Sequence, residues 1–250
     1  MFPLKDNIPT DRFPVVTVAL IVANVLMYFL FQKGGITSGP SDANVIDYGA
    51  FPYEFTHWGE QCVPVDQGIG CGDVSGQPSA LVTAFSSMFM HGSIVHLGGN
   101  MLFLWIFGNN VEDSMGRAAY LAFYLLGGLA ALAAQVVIDP SSTVPTIGAS
   151  GAVAGVLGGY LLLFPRARVV TLIFIVFFFT ILELPALAIL GFWFVQQILF
   201  GYFDLSDPTG GGGGGVAYFA HIGGFAFGLL AIRVFAHRRR ALAGPPLART

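Results

Sequence analysis

The stretch Thr146-Ile-Gly-Ala-Ser-Gly-Ala-Val-Ala-Gly-Val-Leu-Gly-Gly159 opens an apolar segment and consists almost entirely of small residues. Ser150 stands near its beginning, between two glycines. Gly151, Gly155 and Gly159 recur every four residues, so a helix here carries a stripe without side chains along one face. Within a membrane, such stripes let helices approach each other closely. We therefore expect another helix to pack tightly against this one, beside the serine hydroxyl.

The composition of the chain is that of a membrane protein. Of its 250 residues, 55% are hydrophobic and only 10% are charged, whereas soluble domains carry about 25% charged residues. The chain shows neither a basic face for nucleic acid nor a phosphate-binding loop. Its formal net charge of −3 says less than the placement of the individual charges.

Six apolar runs have about the length that spans a bilayer, roughly 20 residues. They cover residues 14–32, 93–111, 117–138, 148–164, 185–203 and 216–236. A signal peptide is the competing interpretation of the first run. That run is long for a signal core and no small-residue cleavage site follows closely, so we favour a retained helix. The sequence therefore predicts an all-α membrane protein built as a six-transmembrane-helix bundle.

The segments outside the runs set the predicted organisation around this membrane domain, residues 14–236. The shorter apolar segment 169–181 is interpreted as an interfacial or re-entrant piece rather than a seventh span. The other segments are a polar N-terminal segment (1–13), a long first loop (33–80), a loop with six consecutive glycines (204–215) and a basic tail (237–250).

The basic residues predict the orientation of the bundle. Of the 11 Lys and Arg residues, all except Lys33 fall on the side of the two termini when the chain crosses six times. Because basic residues concentrate on the cytoplasmic side, the termini are expected there, in a multi-pass protein of the plasma membrane. The first loop and the glycine-rich loop are then external.

Cys62 and Cys71 lie in the external first loop. Since that side is oxidising, we expect a disulfide between them. A zinc site formed by both cysteines and His57 is the alternative, but it offers too few ligands. No metal is therefore predicted.

Polar residues stand inside the apolar runs, where they are costly and commonly functional. His96 and Asn100 are four residues apart, on one face of the second helix, and His221 lies in the sixth. Counted from the external ends, these residues lie at a depth similar to that of Ser150. Packing of the fourth helix against the sixth could bring Ser150 within hydrogen-bond distance of His221, as a nucleophile beside its base.

Simpler explanations exist for each feature alone. A serine among glycines is most often a packing residue, and a single histidine can be a satisfied core residue. No Asp or Glu lies in the middle of a run, so the pattern predicts a dyad rather than a triad. The Ser150 amide, His96 and Asn100 are suitable donors for an oxyanion.

Taken together, three motifs resemble the rhomboid family of intramembrane serine proteases, of the bacterial type. The resemblance covers about residues 85–236 and matches the six-helix frame. The motifs are His91-x-x-x-x-His96-x-x-x-Asn100, Gly148-Ala-Ser150-Gly151 and Ala220-His221-x-x-Gly224-x-x-x-Gly228.

The resemblance implies a serine endopeptidase with Ser150 as nucleophile and His221 as general base. It implies that His96, Asn100 and the Ser150 amide form the oxyanion hole, and that the fifth helix and the loop after it act as gate and cap. The supporting positions are His91, Gly148, Gly151, Gly224 and Gly228. Substrates would be single-span membrane proteins in the lipid bilayer, cut at a small residue near its external face. No cofactor and no nucleic acid are implied.

Two departures from the family pattern concern the histidine and the first loop. Members often carry an aromatic residue four positions after the serine, where this chain has Ala154, so Tyr218 or Phe225 is a candidate to support His221. The Trp-Arg pair of many relatives is absent from the first loop.

The alternative function is a rhomboid-like protein that binds membrane helices without cutting them. A small channel is disfavoured, because no charges lie at the midplane. Neither the natural substrate nor the oligomeric state follows from the sequence.

Overall fold

Helices dominate the part of the chain that this computed structural model describes, residues 2–66, 68–74, 76–175, 178–206 and 216–236. They are α1 (Val15–Phe31), α2 (Asp42–Tyr48), α3 (Pro52–Thr56), α4 (Ala80–Phe89), α5 (Ile94–Met115), α6 (Arg117–Ile138), α7 (Ser150–Leu163), α8 (Ala186–Ser206) and α9 (Tyr218–Phe235). The last turn of α1 and the middle of α5 are π-helical, at Met27–Phe31 and Leu104–Gly108. Most of the predicted glycine-rich loop and the whole predicted basic tail lie outside the described residues.

Five strands accompany these helices, so the described residues are mostly helical, as predicted, but not all-α. They are β1 (Phe2–Asp6), β2 (Gln61–Val65), β3 (Gly68–Gly72), β4 (Arg168–Ile175) and β5 (Phe178–Pro185). All pairs are antiparallel, in the orders β1-β4-β5 and β2-β3. The segment 169–181, interpreted above as an interfacial or re-entrant piece, lies within the β4–β5 hairpin. Its run of β-branched and aromatic residues favours strand over helix.

Three helices of the described chain are long and apolar enough to cross a membrane: α6, α9 and residues Ala186–Leu205 of α8. The bent pair α4 and α5 adds a fourth if it counts as one broken span, while α1 and α7 are shorter apolar helices. With 14 residues, α7 is about 21 Å long, less than the roughly 30 Å of the hydrocarbon core. It can be short because its residues 151–160 are all buried by protein.

Helix α7 is the centre of the bundle, and α6 and α9 pack along it. A Cβ atom added at Gly224 or Gly228 of α9 would collide with the backbone oxygen of Gly151 or Gly155 of α7. The two helices are therefore separated by backbone alone at these crossings. The close approach predicted from the glycine spacing is present between these two helices.

Buried carboxylates tie the N-terminal segment to the end of the bundle opposite Ser150. Asp6 of β1 accepts hydrogen bonds from Asn110 Nδ2 and from the Tyr160 hydroxyl, each at 2.6 Å. Burial raises the pKa of Asp6 to about 6. Glu112 accepts the backbone N–H and the hydroxyl of Thr17, both at 2.8 Å, and so satisfies donors at the first turn of α1.

The first loop folds over the segment that leads into α7. Its β2–β3 hairpin carries the Cys62–Cys71 disulfide, and Glu54 Oε1 accepts the Cys62 N–H at 2.9 Å. Burial raises the pKa of Glu54. Backbone hydrogen bonds join Ala50 to Thr146 in both directions, at 2.8 and 3.2 Å. The loop thereby braces the residues just before Ser150.

Candidate active site

Ser150 and His221 are in hydrogen-bond contact, with 2.7 Å between Ser150 Oγ and His221 Nε2. Ser150 is the first residue of α7, and His221 lies in the first turn of α9. The glycine crossing described above holds these two helix starts together. The arrangement is a hydroxyl nucleophile beside a base.

The other ring nitrogen of His221 is held by Gln197 of α8, with 2.8 Å between His221 Nδ1 and Gln197 Oε1. An amide oxygen only accepts, so this contact fits the tautomer in which Nδ1 carries the proton and Nε2 accepts the serine proton. The Gln197 side chain is buried. The sequence reasoning missed this residue because it considered only carboxylates as partners of His221. A glutamine inside an apolar run was the signal that could have found it.

His96 lies against Gly148, just before the serine helix, where only a glycine leaves room for its ring. Gly148 has φ +129°, and a Cβ there would lie 2.8 and 2.9 Å from His96 Cε1 and Nε2. The Ser93 hydroxyl caps α5 by accepting the His96 N–H at 3.1 Å. The Gly92 N–H points to His96 Nδ1 at 3.5 Å, which leaves Nε2–H as the donor that faces Gly148.

Asn100 follows His96 by one turn, on the same side of α5. Its Nδ2 atom is buried and has no hydrogen-bond partner among the described residues. Asn100, His96 and Ser150 line one cavity together. A buried, unpaired donor costs free energy, so it would readily donate a hydrogen bond to an acceptor atom placed in this cavity.

His91 supports His96 and does not reach Ser150. Gln32 accepts the His91 N–H at 2.9 Å and donates to the His91 carbonyl at 3.1 Å. The buried His91 ring packs edge-on against His96, with 5.1 Å between ring centroids. The second-helix motif thus fixes one end of α5 and the orientation of the His96 ring.

The rhomboid domain family model matches residues 78–238, more than half of the chain and the part that holds every residue of this site. The chain belongs to the rhomboid family. Similar proteins include the mitochondrial Rhomboid protein 1 of Saccharomyces cerevisiae, 33% identical over 37% of the chain and 28% of that protein. The mitochondrial Presenilin-associated rhomboid-like protein A of Danio rerio is 30% identical over 54% of the chain and 36% of that protein. The Rhomboid protease GluP of Bacillus subtilis is 29% identical over 59% of the chain and 24% of that protein. The chain therefore aligns with about a quarter to a third of each of these relatives.

Two cavities meet at Ser150 of this rhomboid chain. One, of about 390 Å³, lies beneath the loop before α7, and small residues such as Gly128, Ala131 and Ala220 form part of its wall. The other, of about 280 Å³, lies between α5 and α8 and is bounded by Trp193. His96 and His221 face both cavities.

Tyr218 and Phe225, the expected supports of the His221 ring, pack against other aromatic rings. Tyr218 packs against Phe200 of α8, and Phe225 stacks on Phe194. The ring that lies beside His221 is Trp193, with 5.8 Å between centroids. Ala154, where many rhomboid proteins carry an aromatic residue, lines the second cavity instead. Support from α8 thus replaces support from α7.

The residues of the alternative zinc site are engaged elsewhere. Cys62 and Cys71 are joined to each other. The His57 ring stacks on Tyr53, with 3.9 Å between centroids, and its Nδ1 lies 3.0 Å from the Thr56 hydroxyl. These three residues therefore serve the packing of the first loop.

Proposed function

We propose that this chain is an intramembrane serine endopeptidase that cleaves single-span membrane proteins through a Ser150–His221 dyad and an acyl-enzyme. The observation that carries the proposal is the 2.7 Å contact between Ser150 Oγ and His221 Nε2. It lies where two cavities meet, so a polypeptide could reach it from either.

In the proposed first step, His221 Nε2 takes the Ser150 proton while Oγ attacks the scissile carbonyl carbon. The negative charge that develops on the carbonyl oxygen is stabilised by the Ser150 amide, His96 Nε2–H and Asn100 Nδ2. His221 then gives the proton to the leaving amine, and the acyl-enzyme remains. His221 next takes a proton from a water molecule, whose oxygen attacks the ester carbon. The bond from that carbon to Ser150 Oγ then breaks, the acid product leaves, and His221 returns the proton to Oγ.

The surroundings of the dyad support this substrate class. The family resemblance implies a small residue at the scissile bond, and the 390 Å³ cavity at Ser150 has room for its side chain. Val95, which lines the space between α5 and α8, is exposed, so we expect a substrate helix to enter beside it from the lipid. With α8 as gate and the loop after it as cap, cleavage would occur near the external face. The six-span topology, the cytoplasmic termini and the plasma-membrane location belong to this proposal and rest on the arginine placement.

Cleavage of a single-span reporter in liposomes tests the proposal. Ser150→Ala should lower the rate about 1000-fold or more, because the nucleophile is lost. Ser114→Ala is the matched control, since Ser114 lies at the far end of α5 and bonds only the Val111 carbonyl among the described residues. Cleavage by Ser150→Ala at the control rate would refute the assignment.

The alternative, a rhomboid-like protein that binds membrane helices without cutting them, is distinguished by the same assay. It predicts that the unaltered protein captures the reporter and leaves it whole. The contact between serine and histidine favours the protease, since mere binding of a helix needs no base beside a hydroxyl.

A further inference from the structure

Gln197 links α8 to the proposed dyad. Its side chain is 6% exposed, in a helix whose other side chains are largely apolar. Its Oε1 lies 2.8 Å from His221 Nδ1, opposite the ring nitrogen that contacts Ser150. A buried amide in an apolar span costs free energy, and this cost indicates that the residue has a function.

We propose that Gln197 is a positioning residue that holds His221 in the tautomer with Nδ1 protonated, so that Nε2 faces Ser150 as an acceptor. This inference rests on the proposed function. It makes the third member of the site a neutral amide, in place of the carboxylate that orients histidine in soluble serine proteases. Oε1 would also stabilise the imidazolium that forms when His221 takes the serine proton.

Substituting the oxygen without changing the bulk tests this role. Gln197→Met keeps the length of the side chain and removes the acceptor, so we expect kcat to fall about 10- to 100-fold. That is less than the roughly 10⁴-fold effect known for the orienting carboxylate of a serine-protease triad. KM should change little, because Gln197 faces His221 and does not line either cavity. Gln197→Glu offers an acceptor oxygen at the same reach and should recover part of kcat.

Gln196→Met is the matched control. It is the same substitution on the neighbouring, half-buried residue, for which the structure records no hydrogen bond to His221. Its kcat should stay near that of the unaltered protein. Equal kcat in the two Met variants would overturn the inference.

Nitrogen NMR of the histidines separates this inference from the proposed function, because it needs no substrate. The His221 signal, assigned by its loss in His221→Ala, should show Nδ1 protonated, and Gln197→Met should weaken that preference. A His221 protonated at Nε2 in the unaltered protein overturns the positioning role even if the Met variant fails to fold. Loss of the protease assignment would instead appear as reporter cleavage by Ser150→Ala.

The β4–β5 hairpin carries a second, independent observation. Phe178 and Phe179 are adjacent in β5 and are 78% and 71% exposed. Neighbouring strand residues point to opposite faces, so both faces are apolar and open at this end of β5. An antiparallel sheet beside water keeps one face polar. The exposed Ile181 and Leu182 repeat the pattern, so neither face of β5 has the mostly polar side chains of a strand in contact with water.

The chain connection places the hairpin at a membrane surface. β5 ends at Pro185 and the apolar helix α8 begins at Ala186. Exposed cations, Lys5, Arg166 and Arg168, stand near the root of the hairpin, against one exposed carboxylate, Glu183. β5 is an edge strand whose unpaired backbone groups could not be satisfied in the hydrocarbon core.

We infer that the hairpin lies in the lipid headgroup region, with its phenylalanine rings at the acyl boundary and its root cations against lipid phosphates. The test uses Phe179→Cys in the full chain, where both native cysteines are disulfide-bonded. The new thiol carries a nitroxide, and the protein is reconstituted in phosphatidylcholine vesicles with about a quarter phosphatidylglycerol. Collisions with oxygen should exceed those with a water-soluble nickel chelate.

Val65→Cys, on the exposed edge of the disulfide-linked hairpin, is the matched control and should show the reverse. Equal nickel accessibility at the two positions would overturn the inference. So would dipolar broadening between Phe179 labels, because it would show that a second copy covers the hairpin in place of lipid.

Discussion

At the scale of single residues, the site contains a hydrogen-bond donor that has no partner in the resting protein. Asn100 Nδ2 is buried without a partner among the described residues and lines a cavity with Ser150. If it stabilises the oxyanion, Asn100→Ala should lower kcat about 100- to 1000-fold. Thermal stability should not fall, because the substitution removes a buried polar group that is left unpaired in the resting protein. Reporter kinetics and a melting curve check both statements. A variant that melts earlier yet cleaves normally would make Asn100 a structural residue.

The residues that meet at Ser150 were largely predictable, because polar side chains are rare in apolar runs and each one stands out. Ser150, His96, Asn100 and His221 were found by counting depth along three of the predicted runs. Gln197 was missed because the search for a histidine partner was limited to carboxylates. The support of His221 by Trp193 could not be predicted, since aromatic residues fill every run and spacing does not select one.

At the scale of elements, the crossing of α7 and α9 sets the distance between Ser150 and His221. Gly224→Ala places a Cβ against the Gly151 carbonyl, only three residues after His221. We expect a loss of about 1–3 kcal/mol in stability from this overpacking, and a fall in kcat as His221 moves from Ser150. Gly98→Ala in α5 is the matched control, because its Cβ would meet nothing within 4 Å. Equal melting temperatures and kcat in the two variants would contradict this account.

Elements with a clear apolar period were predicted within a few residues, and the hairpin was not. The run 169–181 has the hydropathy of a membrane segment, and its β-branched and aromatic residues form strands that pair with β1 and with each other. The pairing of β4 with β1 joins residues more than 160 positions apart, such as Phe2 and Leu172. A local pattern contains no information about such a distant partner.

At the scale of the whole molecule, Asp6 joins the N-terminal strand to α5 and α7. Burial raises its pKa from 3.8 to about 6. The stabilisation from this group is therefore complete below about pH 4 and is lost as the pH rises through 6. The change amounts to at most about 3 kcal/mol.

Melting curves between pH 4.5 and 7.5 in detergent check this dependence. The melting temperature of the unaltered protein should fall across the range, relative to Asp6→Asn, which does not titrate. Parallel pH profiles for the two proteins would show that Asp6 is not coupled to folding.

Mass spectrometry after treatment with a fluorophosphonate tests most directly whether Ser150 is a nucleophile activated by His221. The reagent should add one phosphonyl group per chain, on the peptide that contains Ser150. His221→Ala should abolish the adduct while the protein stays folded. Absence of an adduct from the folded, unaltered protein, or an adduct of equal yield in His221→Ala, would contradict this role of Ser150.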